Sequence, residues 1–342
     1  MNTKPTIKRM GKCDIQASFL ASIRNRLPRH LSFPDELAEL LNISRDSAYR
    51  RLREETILSL DEARILSDRF HVSIDSHLGR DSGSVLFEYG AHFGPGMSFR
   101  SWMESILAHM KTLESAPGTE VTWHSKDLPI FHYFQFPRLA AFKLFWWMNL
   151  SAGEDLGKER YDEALIPSEL LDQGKQIWDL YSRFRSTEII SRELLNTTLR
   201  QIEYSCDGGL LTQSQAVELC HDCMQLINRL EEQTQRGAMR VDGQKPGAQF
   251  DVYLNELLIG DNTILFQTSE KRTTFMTYNN YNFLSTQHES FCGQTEQFMK
   301  SLLKKSVLIS RVAEKERIKF FNRIHRQIDE LLSDLNSNRI AC

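Results

Sequence analysis

Residues Asp35 to Arg53 read DELAELLNISRDSAYRRLR, and the spacing predicts two short helices around a tight turn. Leu37, Ala38 and Leu41 put apolar groups on one face of the first helix. Ala38 is small enough for a second helix to cross close to it. Asn42 falls at the turn, where a left-handed backbone is often needed and Asn tolerates it. Ile43 is the apolar plug of the turn, and Ser44 is a good N-cap for the second helix. Ala48 and Leu52, four residues apart, face inward on that helix. Arg45, Asp46, Tyr49, Arg50 and Arg53 take the opposite face, with Ser47 beside them.

A helix with a buried seam and a long-armed, donor-rich outer face fits the major groove of B-DNA, where Arg can donate two hydrogen bonds to guanine. The Leu-Ala-x-x-Leu-Asn-Ile-Ser run and the helices around it resemble the helix-turn-helix of bacterial transcriptional regulators of the lambda-repressor-like (XRE) class. The resemblance covers residues 16 to 78. Asn42 stands where the turn of this motif usually has Gly. Arg51 stands near a position that such helices often fill with a buried apolar residue. The resemblance implies five short helices around a small core, and double-stranded DNA as partner. Arg45, Asp46, Tyr49 and Arg50 would then reach base edges, with Ser44, Ser47 and Arg53 placed for phosphate or flanking contacts. The alternative is a helical hairpin used only for protein contact.

The flanking residues extend the pattern. Phe19, Leu20, Ile23 and Leu27 predict a helix over Ile15 to Leu27, ended by Pro28. Pro34 opens the next helix. Ser59 and Glu62 form a capping box for a fourth helix, with Ala63, Leu66 and Phe70 inward. Val72, Ile74 and Leu78 close the core from a last short turn over His71 to Leu78. Residues 1 to 14 are expected as a loose basic arm. The DNA-binding domain is then 15 to 79, with a Gly-rich linker over 80 to 97 that leaves room for a strand at Ser84 to Tyr89.

Composition sets the outer limits. A chain of 342 residues can hold two or three domains. Net charge is -3, so the whole chain is no basic nucleic-acid binder. The distribution is uneven: residues 1–80 carry 14 Lys+Arg against 11 Asp+Glu, and the remainder 28 against 34. A weakly basic domain on an acidic body suits local phosphate contact. Met1 to Gly11 has basic residues but no apolar core, so no signal peptide is expected there. The cysteines at 13, 206, 220, 223, 292 and 342 form no dense framework, and reduced thiols in a cytoplasmic protein are the simplest reading. The most apolar stretch, Phe131 to Leu150, contains His132, Gln135, Pro137, Arg138 and Lys143. That load argues for a buried core segment and against a membrane span.

Beyond the linker the pattern is mostly helical, and 98–342 is expected as one sensing or dimerisation domain. Helices are predicted at Ser98 to Ser115, Pro137 to Leu150, Pro167 to Phe184, Ser186 to Cys206 and Thr212 to Arg236. Thr119 to His124 reads as a strand. Phe250 to Leu258, Thr263 to Thr268, Arg272 to Tyr278 and Tyr281 to Thr286 read as a small antiparallel meander. Helices over Glu289 to Lys305 and Val312 to Leu335 complete the chain. The expected fold class is therefore mainly α: a five-helix N-terminal domain, then a larger, mostly helical domain with a β-meander near 250–286 and two C-terminal helices.

Phe321, Ile324, Ile328, Leu331 and Leu335 follow a coiled-coil spacing for about two heptads. They are either a homodimer seam or the inner face of a helix laid on its own domain. Cys220-His-Asp-Cys223 has no second ligand pair and reads as buried structural cysteines, so no metal or cofactor is expected. No phosphate loop, nucleophile elbow or zincin motif is found, and an enzyme is not expected. The aromatic density around Trp146 and Trp147 reads first as core. Its sharper reading is a pocket for an unknown apolar small-molecule effector.

Overall fold

The computed structural model describes residues 14–28, 31–70, 72–74, 77, 84–89, 99–150, 160–240, 247–256, 260, 262–278, 282–337, 339, 340 and 342. The chain divides into two compact units, Met1–Leu86 and Phe87–Cys342. The expected basic arm lies outside the described residues, apart from Asp14.

The smaller unit holds α1 (Asp14–Arg26), α2 (Phe33–Leu41), α3 (Arg45–Leu52) and α4 (Leu60–Phe70). Phe19, Leu20 and Ile23 from α1 meet Phe33, Leu37, Ala48, Ala63 and Leu66 in one buried cluster, which Val72 closes. The fifth helix, expected at His71 to Leu78, falls largely outside the described residues. At the start of α4, the amide of Ser59 donates to Glu62 Oε2 at 2.9 Å and the amide of Glu62 to Ser59 Oγ at 3.2 Å, a reciprocal capping box. Gln16 of α1 fastens the loop after α3. Its Nε2 donates to the carbonyls of Arg51 and Thr56, and its Oε1 accepts from the amide of Leu58, all at 2.9 Å.

The larger unit corrects the expected fold class. It is not a helical domain with a small meander but an α and β domain built on an eight-stranded mixed sheet. The strands are β1 (Glu88–Tyr89), β2 (Glu120–His124), β3 (Arg185–Ile190), β4 (Phe250–Leu254), β5 (Thr263–Gln267), β6 (Arg272–Tyr278), β7 (Asn282–Thr286) and β8 (Val307–Leu308). Their order across the sheet is β1-β7-β6-β5-β2-β3-β4-β8. β2, β3 and β4 run parallel, and the other pairings are antiparallel. The four strands expected as one meander are split between two places. β5, β6 and β7 do form consecutive antiparallel pairs, but β4 lies on the far side of β2 and β3.

The misread element is β3. The periodicity puts Ser186 to Ile190 in the first turns of a helix over Ser186 to Cys206, yet Arg185–Ile190 is the strand between β2 and β4. Residues 188 to 190 of this strand are all buried. A strand covered on both faces loses the alternation that betrays a half-exposed one, and its short apolar run merges with the helix after it. The parallel strands are joined by helical crossovers, as parallel pairing requires. α6 (Ile130–Tyr133), α7 (Pro137–Leu150) and α8 (Ser168–Tyr181) link β2 to β3. α9 (Asn196–Asp207) and α10 (Gln213–Arg236) link β3 to β4. α5 (Phe99–Glu114) precedes β2, while α11 (Glu289–Lys304) and α12 (Glu314–Asn336) come after β7.

α7 is the apolar helix expected as core: Leu139, Ala140, Ala141, Phe142, Leu144 and Phe145 are all buried. No helix of the described residues is long and apolar enough to cross a membrane. Phe321, Ile324, Ile328, Leu331 and Leu335 of α12 belong to the same core as α7 and α10. That stripe is therefore occupied within the chain's own domain and offers no surface to a second copy. Cys206 and Cys342 form a disulfide across 136 residues of sequence, a correction to the expectation of reduced thiols. Spacing alone does not reveal a pairing over that distance.

One polar cluster lies deep inside the core. Glu188 of β3 accepts a hydrogen bond at its Oε1 from Tyr181 Oη at 2.8 Å and is 2.8 Å from His132 Nε2. All three side chains are essentially inaccessible to water. Burial, reinforced by the Glu188 carboxylate, pushes the Tyr181 hydroxyl well above its ordinary pKa. Removing the acceptor leaves two buried donors stranded. Glu188→Ala is expected to cost about 3–5 kcal/mol in urea unfolding, whereas Tyr181→Phe, which removes one of two hydrogen bonds to the carboxylate, costs about 1.5–3 kcal/mol. Equal losses for the two variants would refute this ranking.

Candidate functional site

The two-helix motif of the smaller unit is built from its turn outward. Asn42 adopts φ 52° and ψ 47°, the left-handed conformation its amide side chain tolerates. The next amide, of Ile43, then donates to the carbonyl of Ala38 at 3.0 Å and closes α2. Ser44 is extended, and its Oγ accepts from the amide of Ser47 at 3.2 Å, with Ser47 Oγ also 2.9 Å away. The two serines are therefore engaged in starting α3. Ala48 is fully buried against α2, which fixes the rotation of the helix.

That rotation settles what Arg51 does. Its side chain lies against α4, with Nε 3.2 Å from Glu62 Oε2 and Nη2 2.6 Å from Glu62 Oε1. Its Nη1 also donates to the carbonyl of Ser47 at 3.2 Å. Arg51 thus replaces the expected apolar residue with a two-pronged ion pair between α3 and α4, and it does not join the outer face. The hydrogen bond from Arg51 is the main influence holding the Glu62 carboxyl below its usual range, with the Ser59 amide assisting.

The outer face carries the residues expected there. Arg45, Asp46, Tyr49, Arg50 and Arg53 are all exposed. The Arg45 guanidinium lies 6.0 Å from the centre of the Tyr49 ring and pairs with Asp35 of α2 at 2.9 Å. Arg50 pairs with Asp46 one turn back at 3.0 Å, and Arg53 with Glu55 at 3.2 Å. Every partner in these pairs is more than half exposed. Such pairs contribute only about 0–1 kcal/mol, so a phosphate or a base edge can take over the guanidinium.

A second place in the molecule can hold a ligand. The larger unit contains a cavity of about 360 Å³. Its walls are Trp102 of α5, Trp123 of β2, Tyr133 of α6, Trp146 and Trp147 of α7, and Phe283 of β7. Its polar lining is Asp127, Lys143, Thr197, Gln201, Asn262 and Thr277. Asn262 shapes the mouth of β2: its Oδ1 accepts from the amide of Lys126 at 2.8 Å. Asp127 accepts from the Thr197 hydroxyl. Lys143 is buried, and its ammonium donates to Gln201 Oε1 at 2.7 Å and Thr198 Oγ1 at 3.3 Å. It also lies 5.2 Å from the centre of the Tyr133 ring. Burial pulls its pKa down to about 8, against a smaller upward pull from Asp127.

The sequence marks Trp146 and Trp147 but not the polar wall. Lys143 counts there only against a membrane span. The available signal is its spacing: three and four residues before the two tryptophans, on one face of α7. Asp127 and Asn262 lie in loops and Thr197 in the first turn of α9, far apart in sequence and joined only by the sheet. Cys220 and Cys223 are buried in α10, where burial pushes the Cys220 thiol up to about 12 and the Cys223 thiol well above its ordinary range. Those thiols stay protonated and unreactive near neutrality.

No family model matches the chain, and no curated protein or solved structure matches it significantly.

The Arg51–Glu62 pair gives a pH-dependent test of the α3 rotation. The folded-state pKa of Glu62 is depressed, so its stabilisation is present above the ordinary carboxylate pKa and lost as pH falls through the depressed one. The stability difference between the native chain and Glu62→Gln, measured by thermal unfolding, should be largest near pH 7 and shrink toward pH 3. A difference that does not change with pH would mean that Glu62 is not held by Arg51.

Proposed function

We propose that this chain is a sequence-specific DNA-binding transcriptional regulator whose smaller unit reads the major groove with α3. The observation that carries the reading is the exposed face of Arg45, Asp46, Tyr49, Arg50 and Arg53, on a short helix whose rotation is fixed from behind by Ala48 and Arg51. A recognition helix needs its long polar side chains outward and its backbone rigid. Arg45 and Arg50 are assigned to base edges, where two donors match O6 and N7 of guanine. Asp46 can accept from cytosine N4, and Tyr49 offers a hydroxyl and a ring edge. Arg53 is assigned to a flanking phosphate.

Ser44 and Ser47 serve the helix first, because the cap uses Ser44 Oγ as acceptor. One of their two hydroxyl protons is used in the Ser44–Ser47 contact, and the other remains able to donate to a phosphate at the start of α3. A regulator of this kind commonly binds two half-sites as a dimer. Since the α12 stripe is internal, a dimer must form through another surface.

Selection of bound sequences from random duplexes at low and high salt tests the reading. An enriched motif is expected, and the double variant Arg45→Ala, Arg50→Ala should lose it, at roughly 1–3 kcal/mol of discrimination per lost bidentate contact. Affinity should also fall as salt rises. No binding even at low salt would favour a protein-docking role for the hairpin.

A further inference from the structure

The cavity of the larger unit has a chemistry that DNA binding does not use. It lies beyond the carboxyl ends of β2 and β3: Asp127 comes after β2, Thr197 comes after β3, and Asn262 immediately precedes β5, whose Thr263 pairs with His124 at the end of β2. β2 is also where the sheet changes character, parallel to β3 on one side and antiparallel to β5 on the other. In open sheets with helical crossovers, ligands bind in the crevice outside the carboxyl ends of the strands. At about 360 Å³ the space is enough for a small ring with a short substituent. It falls in the range of small-molecule sites, which combine aromatic walls with a few converging polar groups.

The polar groups define the ligand. Lys143 is buried without a carboxylate within ion-pair distance among the described residues. Its two hydrogen bonds go to neutral oxygens of Thr198 and Gln201. Both partners are acceptors, so they hold the ammonium form and leave one N–H for a ligand. A buried cation with only neutral partners gains most from an anion. Around it stand Trp102 and Trp147, edge to face at 5.7 Å, and Trp146, whose Nε1 already donates to Ser205 Oγ at 3.0 Å. These rings present apolar faces and edges to the space.

We propose that this cavity binds a small aromatic carboxylic acid, with its carboxylate accepting from Lys143 Nζ and its ring among Trp102, Trp146 and Trp147. The site is a property of the larger unit and stands independently of DNA binding by the smaller one. Asp127, the one carboxylate among the described lining residues, already accepts from Thr197. A cationic ligand would choose Asp127 instead, so the sign of the ligand charge is the decisive observation.

The test uses three probes of nearly equal shape, phenylacetate, phenylacetamide and benzylamine, titrated into the full chain by calorimetry at pH 7. Phenylacetate should bind at least about tenfold more tightly than either of the others, and Lys143→Met should abolish that preference. Equal binding of the amide, tighter binding of the amine, or no binding of any probe would overturn the proposal. Should Lys143→Met fail to fold, a pH series on the native chain decides the point. The titratable groups around Lys143 are Asp127 after β2, Tyr133 of α6 and Cys223 of α10. Burial holds Tyr133 and Cys223 protonated through this range. Lys143 loses its proton near pH 8, so phenylacetate affinity should fall between pH 7 and pH 9, and a flat profile would overturn the assignment.

Discussion

A carboxylate on the middle strand of a parallel trio constrains the larger unit more than any apolar contact does. Glu188 sits between Trp123 of β2 and Val252 of β4 in register, with no access to water. An unpartnered carboxylate there would cost several kcal/mol, so the layer above the sheet must deliver donors to one point. α6 supplies His132 and the end of α8 supplies Tyr181. Bonding two donors to Glu188 Oε1 therefore fixes the position of two helices relative to β3. Apolar packing alone is non-directional and tolerates small shifts; a hydrogen-bonded charge does not. The same requirement places Tyr133, the neighbour of His132, at the cavity wall beside Lys143.

The smaller unit uses the same device on a lesser scale. Arg51 and Glu62 tie α3 to α4, Ser59 donates its amide to the same carboxylate, and Gln16 holds the connecting loop from α1. An apolar residue at position 51 would bury α3 equally well, but it would allow the helix to roll. A bidentate pair has a preferred plane, and the side chains of Tyr49 and Arg50 inherit their direction from it. In both units, a polar residue at an apolar position does the orienting.

Legibility from sequence divides along the same line. The α2–α3 motif is readable because its signals are local: a cap at Ser44, a left-handed turn at Asn42, and inward spacing of Ala48 and Leu52. Periodicity also locates α7, α10 and α12, whose apolar stripes are continuous. β3 is not readable, because RSTEII carries no alternation once both faces are covered, and the partners that make it a strand lie far away in sequence. The meander is half readable: β5, β6 and β7 pair with their sequence neighbours, while β4 pairs with β3. The cavity escapes for the same reason. Two of its aromatic residues are adjacent on α7, but its polar wall is assembled from segments far apart in sequence that only the fold brings together.

The polar residues of the Phe131–Leu150 segment then separate structure from function. His132 is answered by Glu188, Gln135 donates to the carbonyl of His132 at 3.1 Å, and Arg138 is answered by Asp222 at 2.8 Å and by Glu218. Each of these has a partner of matching chemistry within the fold, although His132 Nδ1 has none among the described residues. Lys143 differs. Its hydrogen-bond partners are neutral, and the space in front of it is lined by indoles. A cation kept in such a place solely for packing would be replaced without loss by Met or Leu of similar volume. Thr198 and Gln201, three residues apart on α9, hold two of its protons and aim the head of the side chain. An aimed, incompletely partnered charge beside an open volume is what distinguishes a site from a core, and in this segment Lys143 alone has both.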